Sequence, residues 1–216
     1  MTFYIFMPED DVNLMRRDRP YPALYFLAGL TCTWENAPFK SGFAQFAKKR
    51  NIAMVFPDTS PRGVDETCPG AGVDDYRIGY GAGHYVNATQ DPWSKHFNMY
   101  SYVTEELPAL VEKYFFIDPE RKSVTGFSMG GGGALMVAAK NPGMYKSVTA
   151  FAPICSPSTT EGLCSVAYEA YFGDKSVTEY DAVALLTEDE TLSLPPGFVD
   201  VGSVDAFMKK LQIEKL

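Results

Sequence analysis

Five glycines crowd one serine in Gly126-Phe127-Ser128-Met129-Gly130 and the Gly131-Gly132-Gly133 that follows. The short run Ser123-Val124-Thr125, read as a strand, stands before this stretch, and a small-residue helical pattern, Met129 to Lys140, begins within it. A chain that passes from strand to helix across a single serine needs a sharp turn, strained dihedrals and close helix–strand approach, all of which flanking glycines permit. Gly126 and Gly130 supply that room and push the Ser128 hydroxyl out at the carboxyl edge of a sheet. The free N–H groups at the start of the following helix favour developing negative charge there. G-x-S-x-G in this context is the signature of a nucleophilic serine. The alternative, a Gly-rich turn with an incidental serine, is outweighed by the strand–turn–helix setting.

The rest of the chain repeats the same rhythm. The start, Met1 to Pro8, alternates like a strand, and Ala23-Leu24-Tyr25-Phe26-Leu27-Ala28 is a short apolar run ending at Gly29, the profile of a strand buried on both faces. Phe39 to Lys49 reads as a helix and Ile52 to Phe56 as the next buried strand. Tyr100 to Tyr114 is helical with Pro108 as a kink or a new start, and Lys146 to Phe151 is a strand. Asp181 to Leu186 and Ser203 to Leu211 are later helices. Such alternation implies an α/β fold, a mainly parallel sheet with helices on both faces and right-handed crossovers. Between Pro57 and Trp93 the chain is rich in Gly, Pro, Asp and Tyr without periodicity, too long for a connector and suited to shaping a pocket. Gly79-Tyr80-Gly81-Ala82-Gly83 within it lacks the spacing of a nucleotide fingerprint. At 216 residues, the expectation is a single domain, 1–216.

A net charge of −8 argues against nucleic acid or an anionic membrane as partner, because phosphate binding needs a clustered positive field. No apolar stretch approaches the roughly 20 residues of a membrane span, and the start has no signal-peptide pattern, so a soluble, cytoplasmic protein is expected. Cys32, Cys68, Cys155 and Cys164 show no metal-site or disulfide-scaffold spacing and read as reduced thiols. Asn87-Ala88-Thr89 fits a glycosylation sequon by chance in such a chain.

A serine nucleophile needs an oxyanion hole, usually the N–H of the next residue and one from the loop after an earlier strand. Met129 is the first candidate, and Leu30, in Gly29-Leu30-Thr31-Cys32-Thr33, is the second. Leu27 to Thr33, Pro57-Asp58-Thr59-Ser60-Pro61-Arg62-Gly63, Asp91-Pro92-Trp93, Met99 to Pro108 and Ala150 to Cys155 resemble the S-formylglutathione hydrolase (esterase D) family, over about Phe3 to Asp205. That resemblance implies an α/β-hydrolase fold, cleavage of the thioester S-formylglutathione to glutathione and formate, general carboxylesterase activity, no metal or organic cofactor, and a possible homodimer. It casts Ser128 as nucleophile, the Leu30 and Met129 N–H groups as oxyanion donors, and Asp205 as the triad acid, with Asp200 as local competitor. Val204 stands where the family has a second acidic residue, and Phe127 and Gly132 stand where it commonly has histidines. Cys32 matches a family cysteine beside the site, either reactive toward thiol reagents or an inert buried thiol. Arg62, Lys40 and Trp93 are open either to contact with an anionic glutathione moiety or to ordinary surface and core roles.

The order of the triad in this fold is Ser, then Asp, then His. None of Ala206 to Leu216 is histidine, so no catalytic histidine is found, and the expectation is a truncated chain lacking the last strand and helix. The two histidines present, His84 and His96, lie upstream of Ser128. Two other readings stand beside the esterase: a binding protein on a hydrolase scaffold, favoured by the missing histidine, and an acyltransferase on the same fold.

Overall fold

The computed structural model describes residues 1–8, 18–63, 73–159 and 163–216; Cys68 and part of the Pro57–Trp93 stretch lie outside the described residues. Among the described residues six strands form one sheet in the order β1-β3-β2-β4-β5-β6: β1 (Phe3–Phe6), β2 (Tyr21–Leu27), β3 (Ala53–Pro57), β4 (Ile117–Phe127), β5 (Val148–Phe151) and β6 (Gly197–Asp200). Only β1 runs antiparallel, against β3; every other pairing is parallel.

The period-2 alternation of the strands sorts the two faces. Ala23, Tyr25 and Leu27 of β2, with Ala53 and Val55 of β3, enter the large core. There they meet α4 (Leu107–Phe115) and α5 (Met129–Lys140) through Leu107, Val111, Leu135 and Met136. The intervening Phe26, Met54 and Phe56 face the other way, against Ala37 of α1 (Asn36–Lys40) and Phe43 and Ala47 of α2 (Phe43–Arg50). Helices therefore do cover both faces, as the alternation implies. Phe127 and Phe198 of the β4–β6 half remain 51% and 57% exposed. β6 is the outermost strand on its side.

Three expectations are corrected in detail. The helix read over Phe39–Lys49 is two helices, because Gly42 adopts φ 66°, a left-handed conformation that breaks helical hydrogen bonding between α1 and α2. The Tyr100–Tyr114 helix exists, running from α3 (Met99–Ser101) into α4, but Tyr102–Glu106 between them is wound as a π-helix. Pro108 explains this: its ring has no N–H to donate and excludes the carbonyl four residues back, so the preceding turn widens. Of Ser203–Leu211 only α8 (Met208–Leu211) is helical. Two elements went unread, α6 (Ser165–Phe172) and β6, while the Asp181 helix is present as α7 (Ala182–Glu188).

Strand order places the site. From β2 the chain moves outward to β3, then crosses back over β2 to β4, so the direction of winding reverses between β2 and β4. In open α/β sheets the crevice beyond the carboxyl ends at such a reversal is where ligands bind. Ser128 follows β4 and Leu30 follows β2.

Candidate active site

Ser128 has φ 57° and ψ −118°, a conformation that costs on the order of 1–3 kcal/mol for a residue with a side chain and persists only where the surroundings impose it. Those surroundings are specific. Its N–H donates to Phe151 O at 2.9 Å, and its carbonyl accepts from Gly132 N at 3.0 Å and Ile154 N at 3.2 Å. The helix α5 starts at Met129 directly against the end of β2. A Cβ added at Gly130 would lie 2.0 Å from Leu27 O, and one added at Gly126 2.1 Å from Gly130 O. A Cβ at Gly29 would sit 3.4 Å from Ser128 Cβ, so the loop after β2 touches the serine itself. Among the described residues, neither the Leu30 N–H nor the Met129 N–H finds a hydrogen-bond acceptor.

Other loops hold the Gly29–Thr33 segment. Thr31 N donates to Gly81 O at 2.8 Å and Cys32 N to Gly29 O at 3.2 Å. The Thr59 hydroxyl and Arg62 Nη2 both donate to Cys32 O, and the buried Tyr85 hydroxyl donates to Ala28 O at 2.8 Å. Arg62 is also paired with Asp58 at 3.0 Å, a structural tie. Trp93 packs edge-on against Phe97 and Tyr171 in the core, which removes it from ligand contact. Lys40 lines an apolar groove of about 480 Å³ together with Gly29, Cys32, Phe43, Phe127 and Phe151. Cys32 is half-buried, and burial outweighs its bond to Gly29 and the nearby Lys40 charge, raising its pKa and keeping it a thiol. Among the described residues no cluster of side chains fits a metal ion, and no helix is long and apolar enough to cross a membrane.

Asp205 lies beyond β6, on the sheet edge where β4, β5 and β6 all end, since Phe127 pairs with Phe151 and Phe151 with Asp200. Its carboxylate accepts from Phe207 N at 2.7 Å, the geometry of a turn before α8. Asp200 is held by its backbone, accepting from Ala152 N. No hydrogen bond joins either acid to Ser128.

Neither histidine reaches the serine hydroxyl, which has no hydrogen-bond partner among the described residues. His84 is buried beneath the start of α5, in a cavity of about 20 Å³ shared with Met129 and Gly132. Its Nε2 donates to Arg77 O at 3.1 Å, and its ring packs edge-on to Tyr168 and Tyr171. Desolvation lowers its pKa from 6.5 to about 4. The neutral ring is thus favoured by folding. Stability from this group is complete above pH 6.5, falls as the unfolded chain alone gains the proton, and levels off below about pH 4. The expected loss across that window is about 3 kcal/mol, and chemical denaturation of the wild type against His84→Gln should show the variant's pH slope flattened.

A sheet reversal carrying a strained serine between strand and helix defines a serine hydrolase of the α/β-hydrolase architecture. Comparison with known proteins agrees. A family model described as "Putative esterase" matches residues 1–215. The chain is 48% identical to the S-formylglutathione hydrolase of Mus musculus over 198 residues, 89% of this chain and 67% of that protein. It is 44% identical to the S-formylglutathione hydrolase of Rattus norvegicus, covering 99% of this chain and 73% of that one. The structure superposes on an S-formylglutathione hydrolase from Agrobacterium tumefaciens with a TM-score of 0.89 at 39% identity, covering 99% of this chain and 74% of the other. The chain belongs to the S-formylglutathione hydrolase family of esterases.

Proposed function

We propose that this protein is a serine thioesterase that hydrolyses S-formylglutathione to glutathione and formate, with carboxylesterase activity on small esters. The observation that carries the reading is the Ser128 elbow at the sheet reversal, with two unengaged N–H groups on the segments that meet there. Ser128 Oγ attacks the thioester carbonyl, its proton passing to solvent, and the Leu30 and Met129 N–H groups receive the oxyanion. The thiolate of glutathione leaves, and water resolves the formyl-enzyme to formate and free Ser128. Asp205 is the acid of the triad. Family resemblance supports a cytoplasmic homodimer acting on a small-molecule thioester.

One observation favours a second reading. The described chain brings no imidazole to the Ser128 hydroxyl, which is the state of a hydrolase scaffold that binds acyl compounds without turning them over.

The test is loss of thioester absorbance from S-formylglutathione with the purified 216-residue chain, run beside Ser128→Ala. Turnover above the Ser128→Ala background is the expected result. Equal rates for the two proteins, with binding retained, would establish the binding-protein reading instead.

A further inference from the structure

We infer that Asp181 is a positioning residue for Ser128, acting through the strap that follows β5; this rests on the reading of Ser128 as the attacking group. Asp181 is fully buried, at 0% exposure. Its Oδ2 accepts from Ser156 Oγ at 2.9 Å, Ser158 N at 3.1 Å and Ser158 Oγ at 2.5 Å, and its Oδ1 accepts from Ala184 N at 3.0 Å. A buried carboxylate is tolerated where several donors replace its hydration, and bonds to a charged acceptor are about twice as strong as neutral ones. Capping α7 uses one of these four contacts. The other three hold residues 156–158.

Those residues end the strap that fixes the elbow. Phe151 O accepts the Ser128 N–H, and Ile154 N donates to Ser128 O, so the strap bonds both backbone groups of the strained serine. It also lies flush on the first turn of α5: a Cβ at Gly131 would meet Phe151 O at 3.0 Å, and one at Gly132 would meet Ile154 O at 2.2 Å. Ser156 begins two residues after Ile154. Ala152, at φ 42°, is itself in the left-handed region, so the strap does not hold this path by local preference. Asp181 supplies the fixed point from the far side, and Cys155 N donating to Leu211 O at 2.9 Å supplies a second. A displaced strap moves Ser128 and the Met129 N–H together, which disturbs attack more than substrate binding.

The test is the rate at which a fluorophosphonate labels the full chain at 25 °C with imidazole added at a fixed concentration as the base, melting temperature being measured in parallel. Ser128 Oγ forms the O–P bond, fluoride leaves, and the hydroxyl proton passes to imidazole. Asp181→Asn places an amide before three donors and is expected to slow labelling about 10-fold or more, in line with the sensitivity of reactions to small misplacements. Ser158→Ala, which removes one donor and leaves no buried group unpaired, is expected to slow it about 3-fold. Folded variants that label at the wild-type rate, whatever their melting temperature, would overturn the inference. Should Asp181→Asn not fold, Ser158→Ala decides it. A wild-type chain that is not labelled at Ser128 would remove the reading of Ser128 as nucleophile, and the inference with it.

Discussion

Gly130→Ala is expected to destabilise the chain by about 3 kcal/mol or more and to lower the melting midpoint by roughly 6–12 °C. Alanine is normally the better helix residue by about 1 kcal/mol, so an exposed helical site would show the opposite sign. Here the new Cβ would stand 2.0 Å from Leu27 O and 2.5 Å from Ala28 O, backbone atoms at the end of β2, the strand that lies between β3 and β4, and just past it. No rotamer change relieves that contact; α5 must lift off the sheet. Lifting it separates Met129 from the Gly29–Leu30 loop, so activity should fall further than stability. Gly202→Ala is the control: nothing lies within 4 Å of its added Cβ, and its stability should stay within about 0.5 kcal/mol of wild type, a midpoint shift of about 2 °C or less. Thermal unfolding of the two variants side by side checks the argument, and equal midpoints would refute it.

That same crowding explains why α5 was legible from residues alone. Four consecutive glycines, Gly130 to Gly133, are poor helix formers, and their presence at a helix start makes sense only if backbone approaches from several sides. The predicted limits, Met129 to Lys140, match the observed helix. β2 and β3 were equally readable, because burial on both faces leaves a continuous apolar run. What escaped reading lacked a local signal. α6 is nearly apolar all round, with Ala167, Tyr168 and Tyr171 buried, so it shows little amphipathic period. β6 has four residues directly after Pro195-Pro196. The broken Phe39–Lys49 helix turned on the conformation of Gly42, which composition does not reveal. At the candidate site, the position of Ser128 and Met129 at a strand-to-helix turn and of Leu30 in the loop after β2 was legible because each follows a readable strand. Asp181 was read only as a helix start, since its donors Ser156 and Ser158 lie 25 and 23 residues away in sequence and meet it through the fold.

Added imidazole is expected to accelerate S-formylglutathione hydrolysis by this chain in a Ser128-dependent, saturable manner. A serine hydroxyl attacks poorly until a base accepts its proton, and removing the triad histidine from a serine protease costs on the order of 10⁶ in turnover. Here the hydroxyl has no hydrogen-bond partner among the described residues, and neither histidine is bonded to it. His84 donates from Nε2 to Arg77 O and is packed against Tyr168 and Tyr171 below the helix. His96 lies in the turn after Trp93, where its backbone N–H donates to Trp93 O. The elbow and its unengaged N–H groups are in place, and on the proposed reading they stabilise charge, while among the described residues no group is placed to move the proton. Its own turnover should therefore be slower than that of a complete triad enzyme by several orders of magnitude, on the order of 10⁵ to 10⁶. The groove beside Gly29 and Phe127, about 480 Å³, is open to a small aromatic base. Imidazole also attacks thioesters unaided, so the rate with Ser128→Ala must be subtracted at each concentration. A residual that rises and saturates, following the neutral form of imidazole with pH, identifies the missing base. Fast turnover without imidazole that is lost in His84→Gln or His96→Gln would instead require one of those rings to leave its present contacts for Ser128.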